Sequence, residues 1–194
     1  MDKIKSYFLK NVKLLTLIII IIAGYSILFN EKDLLLEKLN NNKELIKKYN
    51  EFKIDGINKP INLPESIIEN IIDTALSFVG TPNIYGGTNK EGIDASALVY
   101  VSITKNDKIA FPRIAQEMAR YGKVISDPMK LDRGDLVFFY NTYEINRIIT
   151  SVGIYLGEGD FITSTSSKGV AISEINDGYW QEKFFYGTRI VNQN

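Results

Sequence analysis

The chain changes character at Asp135, and this change constrains its fold more than any other feature of the sequence. Before Asp135, apolar residues recur at positions 67, 68, 71, 72, 75, 76 and 79, a spacing that predicts an amphipathic helix over residues 66–79. After Asp135, short β-branched or aromatic runs are separated by turn residues, as in strands. Helices followed by an antiparallel sheet indicate an α+β domain.

Shorter elements complete this prediction. A helix is expected over Ala95–Thr104 with Asp94 as its N-cap, and another over Ile114–Tyr121, which Gly122 ends. Gly157-Glu158-Gly159-Asp160 has the composition of a hairpin turn. The predicted strands are Leu136–Tyr140, Val152–Leu156, Asp160–Thr165, Val170–Ser173 and Tyr186–Val191.

An uncharged apolar run, Leu14–Phe29, follows a flank of four lysines and one aspartate in residues 1–13. As a helix the run would reach about 24 Å, somewhat short of the roughly 30 Å hydrocarbon core, and Val12 and the stem of Lys13 extend it. We interpret residues 12–29 as an uncleaved transmembrane signal anchor. A cleaved signal peptide and a buried core helix are the alternatives, although no Ala-x-Ala site follows the run and it has no polar face. The basic flank stays in the cytoplasm, which predicts a single-pass protein with residues 30–194 extracytoplasmic.

Composition narrows the class of protein. Apolar residues make up 45% of the chain and charged residues 24%, as in globular domains. Lys+Arg and Asp+Glu are equal at 23 each, so we expect no nucleic-acid partner. The chain has no Cys and no His, which removes disulfides, thiolate chemistry and the commonest zinc ligands. We therefore expect no metal and no cofactor.

We predict three segments. Residues 1–30 form the basic flank and anchor, residues 31–64 a stalk helix and linker, and residues 65–194 the domain. Glu31–Phe52 mixes Lys and Glu with leucines in a pattern typical of a solvated helix, with a short coiled coil as the alternative. Ile54–Pro64 contains Gly56 and two prolines, as linkers do.

Five short motifs follow one another along the last two-thirds of the chain. They are Tyr85-Gly86-Gly87, Asp94-Ala95-Ser96, Gly134-Asp135-Leu136-Val137-Phe138-Phe139, Val152-Gly153-Ile154-Tyr155-Leu156-Gly157 and Ser166-Ser167-Lys168-Gly169-Val170, with Pro112-Arg113 after the second. In this order they resemble the NlpC/P60 family of cell-wall peptidases. The resemblance implies a papain-like fold, with N-terminal helices packed on an antiparallel sheet and, in this chain, a preceding transmembrane helix.

The resemblance also locates the positions of the family's catalytic triad. The catalytic Cys corresponds to Ala95, the His that begins a strand to Ser151, and the residue that orients this His to Thr163. A papain-like peptidase needs a thiolate at a helix N-terminus and an imidazole that takes its proton. These substitutions predict a pseudoenzyme without catalytic residues, and therefore not an enzyme. A hydrolase with a rewired site is an alternative.

The residues that hold the ligand are inferred in the same way. In the family, the Asp and Ser that flank the cysteine and a Tyr of the Tyr-Gly-Gly segment help to hold the amino end of a stem peptide. By resemblance these are Asp94, Ser96 and Tyr85. Each also has a structural interpretation: Asp94 caps a helix, Ser96 satisfies a backbone group in the first turn, and Tyr85 packs.

The leading hypothesis is therefore a membrane-anchored domain at the cell wall that binds a peptidoglycan stem peptide or a wall hydrolase without cleaving. The alternative is a scaffold, regulator or immunity factor that binds protein only. A cleft that is open around Asp94 and Tyr85 favours binding of a stem peptide, whereas a cleft filled by side chains favours a protein partner.

Overall fold

The computed structural model describes residues 42–61, 63–105, 109–143 and 146–191, which belong to one compact unit that begins at Asn42. The predicted anchor, residues 12–29, lies outside the described residues. Within the described ranges, no helix has the length and apolar character needed to cross a membrane.

One antiparallel sheet forms the centre of the molecule. A small ribbon pairs β1 (Thr88–Asn89) with β2 (Gly92–Ile93), and the described chain then contributes six strands to the main sheet. These strands are β3 (Lys123–Ile125), β4 (Leu136–Phe139), β5 (Ser151–Gly157), β6 (Asp160–Thr165), β7 (Gly169–Glu174) and β8 (Phe184–Arg189). Their spatial order is β3-β8-β4-β5-β6-β7, and every neighbouring pair is antiparallel.

Helices cover this sheet. They are α1 (Lys43–Ile54), α2 (Ile68–Leu76), α3 (Ala95–Thr104), α4 (Ala115–Met118) and α5 (Gly178–Lys183), with 3-10 turns at Glu65–Ile67 and Pro128–Lys130. The central helix α3 packs between α2 and strands β5 and β6, so Leu98, Val99 and Ile103 are fully or almost fully buried. A helix that is apolar around most of its circumference is typical of such a central position. The predicted α+β arrangement, with helices on an antiparallel sheet, is confirmed.

A cluster of aromatic side chains fills part of the core. Because side chains alternate along a strand, Val137 and Phe139 of β4 point to the same side of the sheet. The Phe139 ring lies 4.6 Å from Trp180 and 5.0 Å from Phe161, measured between centroids. These rings therefore pack strands β4 and β6 and helix α5 against one another.

Helix α1 packs on the domain, which differs from the solvated stalk that we predicted. Tyr49 and Phe52 are buried, and the guanidinium of Arg120, which is 2% exposed, donates to the carbonyl oxygens of Phe52 and Gly56. Arg120 also forms ion pairs with Asp55 and Glu117. Burial of two aromatic rings outweighs the polar character of the rest of the helix. The first part of the predicted stalk lies outside the described residues.

Several predicted boundaries shift. Helix α2 ends at Leu76 instead of residue 79, because the N–H groups of Phe78 and Val79 bond to carbonyls three residues earlier in a tightened last turn. The last strand begins at Phe184 and ends at Arg189, two residues earlier than predicted. Strand β3 and helix α5 were not predicted, since both are too short to show a clear periodic pattern.

Candidate functional site

An open cleft of about 880 Å³ lies at the start of helix α3. The loop before β1, the first residue of β5, the β6–β7 turn and helix α5 all contribute to its walls. It brings together Tyr85, Asp94, Ala95, Ser96 and Ser151 of the residues singled out in the sequence. Thr163 does not line it.

Asp94 organises the entrance of helix α3. One carboxylate oxygen, Oδ1, accepts from the Ala97 N–H at 2.7 Å and from the Ser96 hydroxyl at 2.8 Å. The other, Oδ2, accepts from the Gly86 N–H at 2.8 Å. Asp94 is therefore an N-cap, as its position before the helix predicted, and it also fastens the Tyr85-Gly86 loop to the helix start.

Arg113 completes this cluster. Its guanidinium donates to both carboxylate oxygens of Asp94, at 3.1 and 2.9 Å, and to Ser96 Oγ at 2.7 Å. Such bidentate, charge-assisted hydrogen bonds are stronger than hydrogen bonds between neutral groups. The sequence analysis missed Arg113 as a residue of the site. The one feature that pointed to it was the Pro112-Arg113 motif.

The electrostatics of Asp94 follow from these contacts. Burial by itself would raise the pKa of the Asp94 carboxyl, but hydrogen bonds from Arg113, from the Ala97 and Gly86 N–H groups and from Ser96 outweigh it. The pKa of Asp94 therefore lies below its ordinary value. At neutral pH the carboxylate is ionised, and its charge is largely compensated by Arg113.

The three positions that correspond to the family's triad have different surroundings. Ala95 is half-buried in the cleft wall, and Ser151, opposite Phe139 in the β4–β5 pairing, is 8% exposed. Thr163 is fully buried in β6, and its hydroxyl donates to the Val152 carbonyl at 2.8 Å. The hydroxyl of Thr163 is thus satisfied inside the sheet and is turned away from any ligand in the cleft.

The remaining walls are polar and aromatic. Three tyrosines border the cleft with large exposed fractions: Tyr85 at 84%, Tyr143 at 49% and Tyr179 at 48%. Burial and the neighbouring Tyr85 raise the pKa of the Tyr143 phenol. The other polar lining residues include Arg147, Thr165, Ser166, Ser167, Lys168, Ser173 and Asp177.

The chemistry available in this cleft is limited by its residue types. A hydroxyl becomes a nucleophile near neutral pH only with a base beside it. The Ser96 hydroxyl donates to Asp94, but the lowered pKa makes this carboxylate a weak base. Within the described part of the chain, no group of three acidic side chains is placed to hold a metal ion.

Comparison with known proteins identifies the domain that carries this cleft. The sequence pattern of the NlpC/P60 family matches residues 80–189. This chain belongs to the NlpC/P60 family. It is 41% identical over 125 residues to the bifunctional muramidase/DL-endopeptidase CwlT of Bacillus subtilis (strain 168), a match that covers 64% of this chain and 37% of CwlT.

The matches to some other NlpC/P60 proteins cover a larger share of those proteins than the match to CwlT covers of CwlT. The probable endopeptidase NlpC of Escherichia coli (strain K12) is 36% identical over 125 residues, which cover 64% of this chain and 79% of NlpC. The structure also superposes on RipD of Mycobacterium tuberculosis with a TM-score of 0.52, covering 64% of this chain and 98% of that chain. At 22% identity the likeness to RipD shows the fold alone.

These comparisons contradict the prediction that the chain is not an enzyme. CwlT and NlpC are named as endopeptidases, and they place this chain in a peptidase family. The prediction was wrong because it concluded from the replacements at Ala95, Ser151 and Thr163 that no other side chains carry out the reaction. Without Cys and His the chain lacks a thiol–imidazole pair, but other side chains also act as nucleophiles and bases.

Proposed function

We propose that the cleft binds a stem peptide of peptidoglycan. The observation that carries this proposal is that the cleft is open at Tyr85 and Asp94 and is not filled by neighbouring side chains. Its volume of about 880 Å³ lies within the range of pockets that bind small ligands, which includes short peptides. RipD, which has the same fold, is described as a non-catalytic NlpC/p60 domain protein adapted to peptidoglycan binding.

Within this proposal the residues of the cleft have separate roles. The Asp94 carboxylate accepts five hydrogen bonds within the protein, so it shapes the site by holding the Tyr85-Gly86 loop against helix α3. Tyr85 and Tyr143 present apolar ring surface and a polar hydroxyl group, which suits contact with a peptide backbone. Ser96 is held by Asp94 and Arg113 and acts with them in positioning the cleft wall.

Co-sedimentation with purified sacculi tests binding. The full chain, kept soluble in detergent, is expected to sediment with sacculi, and Tyr85→Ala is expected to reduce the bound fraction. Met129→Ala is the matched control, because Met129 is also 84% exposed but lies outside the cleft. Equal losses in the two variants, or no binding by the unmodified chain, would contradict the proposal.

Cleavage in the same cleft is a second candidate, which the names of CwlT and NlpC favour. The same incubation tests it, by chromatography of soluble muropeptides released from the sacculi. Hydrolysis by a serine hydroxyl predicts release that Ser96→Ala or Ser151→Ala abolishes. Release that survives both substitutions would exclude these two hydroxyls as the nucleophile.

We further propose that residues 12–29 anchor the chain in a membrane and that the domain faces the cell wall. The apolar run and its basic flank support this proposal. Alkaline carbonate extraction of membranes is expected to leave the chain in the pellet, and protease added outside spheroplasts is expected to degrade the domain. Recovery in the soluble fraction would contradict the anchor.

A further inference from the structure

Strand β7 lies at one edge of the main sheet, with β6 as its neighbour on the inner side. The Val170 N–H donates to the Thr81 carbonyl and the Val170 carbonyl accepts from the Gly80 N–H, each at 2.9 Å, so both groups of Val170 point away from β6. This direction repeats at every second residue of an antiparallel strand. The backbone N–H and C=O groups of Ile172 and Glu174 therefore also point outwards.

Most of these outward groups have no backbone partner. Among the described residues, the Glu174 carbonyl accepts from the Asp177 N–H at 3.2 Å, but no neighbouring strand bonds to the Glu174 N–H or to either backbone group of Ile172. Unpaired donors and acceptors along a sheet edge are a template for pairing with another extended chain. We call the outer side of residues 171–174 the β7 edge.

Exposed apolar side chains accompany the β7 edge. Ile172 is 46% exposed, and Val79, which is 54% exposed, directly precedes the Gly80 that is bonded to β7. An additional strand at this edge would cover apolar surface as well as satisfy backbone groups. Neither Ile172 nor Glu174 lines the cleft, so the β7 edge is a separate surface.

The charge near the β7 edge is negative. Glu174 is exposed, Asp160 lies opposite it in the β6–β7 pairing, and Glu158 is exposed in the turn before β6. In the described part of the chain, none of these three carboxylates forms an ion pair. Lys168 is the one cation between residues 157 and 177, and it precedes the other end of β7. A second copy of β7 would add like charges here, whereas a basic segment would neutralise them.

We propose that the β7 edge is an interaction surface that binds an extended, basic segment of a partner protein as an additional strand. The backbone of this segment pairs with Ile172 and Glu174, and its lysine or arginine side chains lie near Glu174 and Asp160. In strand addition the backbone hydrogen bonds supply affinity and the side chains supply specificity. The inference does not depend on the proposed binding of stem peptides in the cleft.

Three synthetic hexapeptides test the proposal. The first alternates valine with lysine, the second alternates valine with glutamate, and the third is the lysine peptide with every backbone nitrogen methylated. Fluorescence anisotropy with the full chain in a non-ionic detergent is expected to show saturable binding of the first peptide and no binding of the other two. Glutamate is repelled by the carboxylates near the edge, and methylation removes the N–H donors while the charges stay the same.

A charge variant assigns the binding to the β7 edge. Glu174→Gln is expected to weaken binding of the lysine peptide about fivefold, because it removes one exposed charge beside the added strand. Glu51→Gln is the matched control and is expected to keep the affinity of the unmodified chain. Glu51 is exposed on α1, which packs on Phe185 of β8, and three strands separate β8 from β7.

The outcomes distinguish strand addition from attraction between charges alone. Equal binding of the methylated and unmethylated lysine peptides overturns the proposal, as does failure of the lysine peptide to bind. Equal affinities of Glu174→Gln and the unmodified chain overturn the assignment to this edge. Each of these results leaves the proposed function of the cleft intact, because that function is measured by sedimentation with sacculi.

Discussion

At the scale of single residues, Asp94 shows how one side chain serves both the fold and the site. Its carboxylate caps helix α3, fixes the Gly86 loop and pairs with Arg113. The same bonds that position the cleft keep the carboxyl ionised, so its contribution to stability depends on pH. Asp135 behaves in the opposite way, because burial raises the pKa of its carboxyl despite the bonds from Arg189.

The lowered pKa of Asp94 predicts a pH dependence with a definite sign. A carboxyl whose folded-state pKa is depressed stabilises the protein above its ordinary value of 3.8, and this contribution is lost as the pH falls through the folded-state value. Asp94→Asn keeps a capping side chain without the titrating group. The difference in Tm between the unmodified chain and Asp94→Asn is therefore expected to shrink below about pH 4. A difference that stays constant down to pH 2 would contradict this account, and Asp135 is unchanged in both proteins.

At the scale of elements, helix α1 depends on tertiary contacts. Its exposed face is rich in Lys and Glu, and the buried side chains Tyr49 and Phe52 attach it to the domain. The Tyr49 ring lies 5.7 Å from Phe185, and the Arg120 guanidinium lies 4.3 Å from the centroid of Phe52. Helix α1 therefore packs on the domain through the side chains of Tyr49 and Phe52.

Phe52→Ala is expected to destabilise the protein by about 3–5 kcal/mol, since it leaves a cavity beside a buried guanidinium. Ile54→Ala, in the same helix but at an 81% exposed position, is expected to change the free energy of unfolding by less than about 0.5 kcal/mol. Chemical denaturation followed by tryptophan fluorescence measures both. Similar values for the two variants would show that α1 is not packed as described.

At the scale of the whole molecule, the cleft is composite. The loop before β1 and the start of helix α3 contribute residues 83–96, whereas strand β5 and the β6–β7 turn contribute residues 151–168. The packing of helix α3 on strands β5 and β6 brings these two distant parts of the sequence together. The triad positions illustrate this, since Ala95 and Ser151 both line the cleft while Thr163 is buried in the sheet. Replacing one residue therefore does not create the chemistry of several.

Ala95→Cys is accordingly expected to give no muropeptide release that iodoacetamide abolishes. The new thiol would sit at a helix N-terminus, but no imidazole lies in the chain to take its proton. Ala95→Ser is the matched control for the added side-chain volume. Robust thiol-dependent release by Ala95→Cys alone would show that another group in the cleft acts as the base.

The sequence alone was sufficient to predict the local structural features of this protein. The helix cap at Asp94, the apolar spacing of α2 and the strand runs after Asp135 are encoded by neighbouring residues, so the α+β class and the family could be predicted. Other features became visible only in the tertiary structure. Arg113 forms an ion pair with Asp94, and helix α1 packs on the domain. Thr163 is buried, and Arg147 and Lys168 line the cleft. These contacts join residues far apart in the chain, and local periodicity carries no information about which distant side chains meet when a sheet assembles.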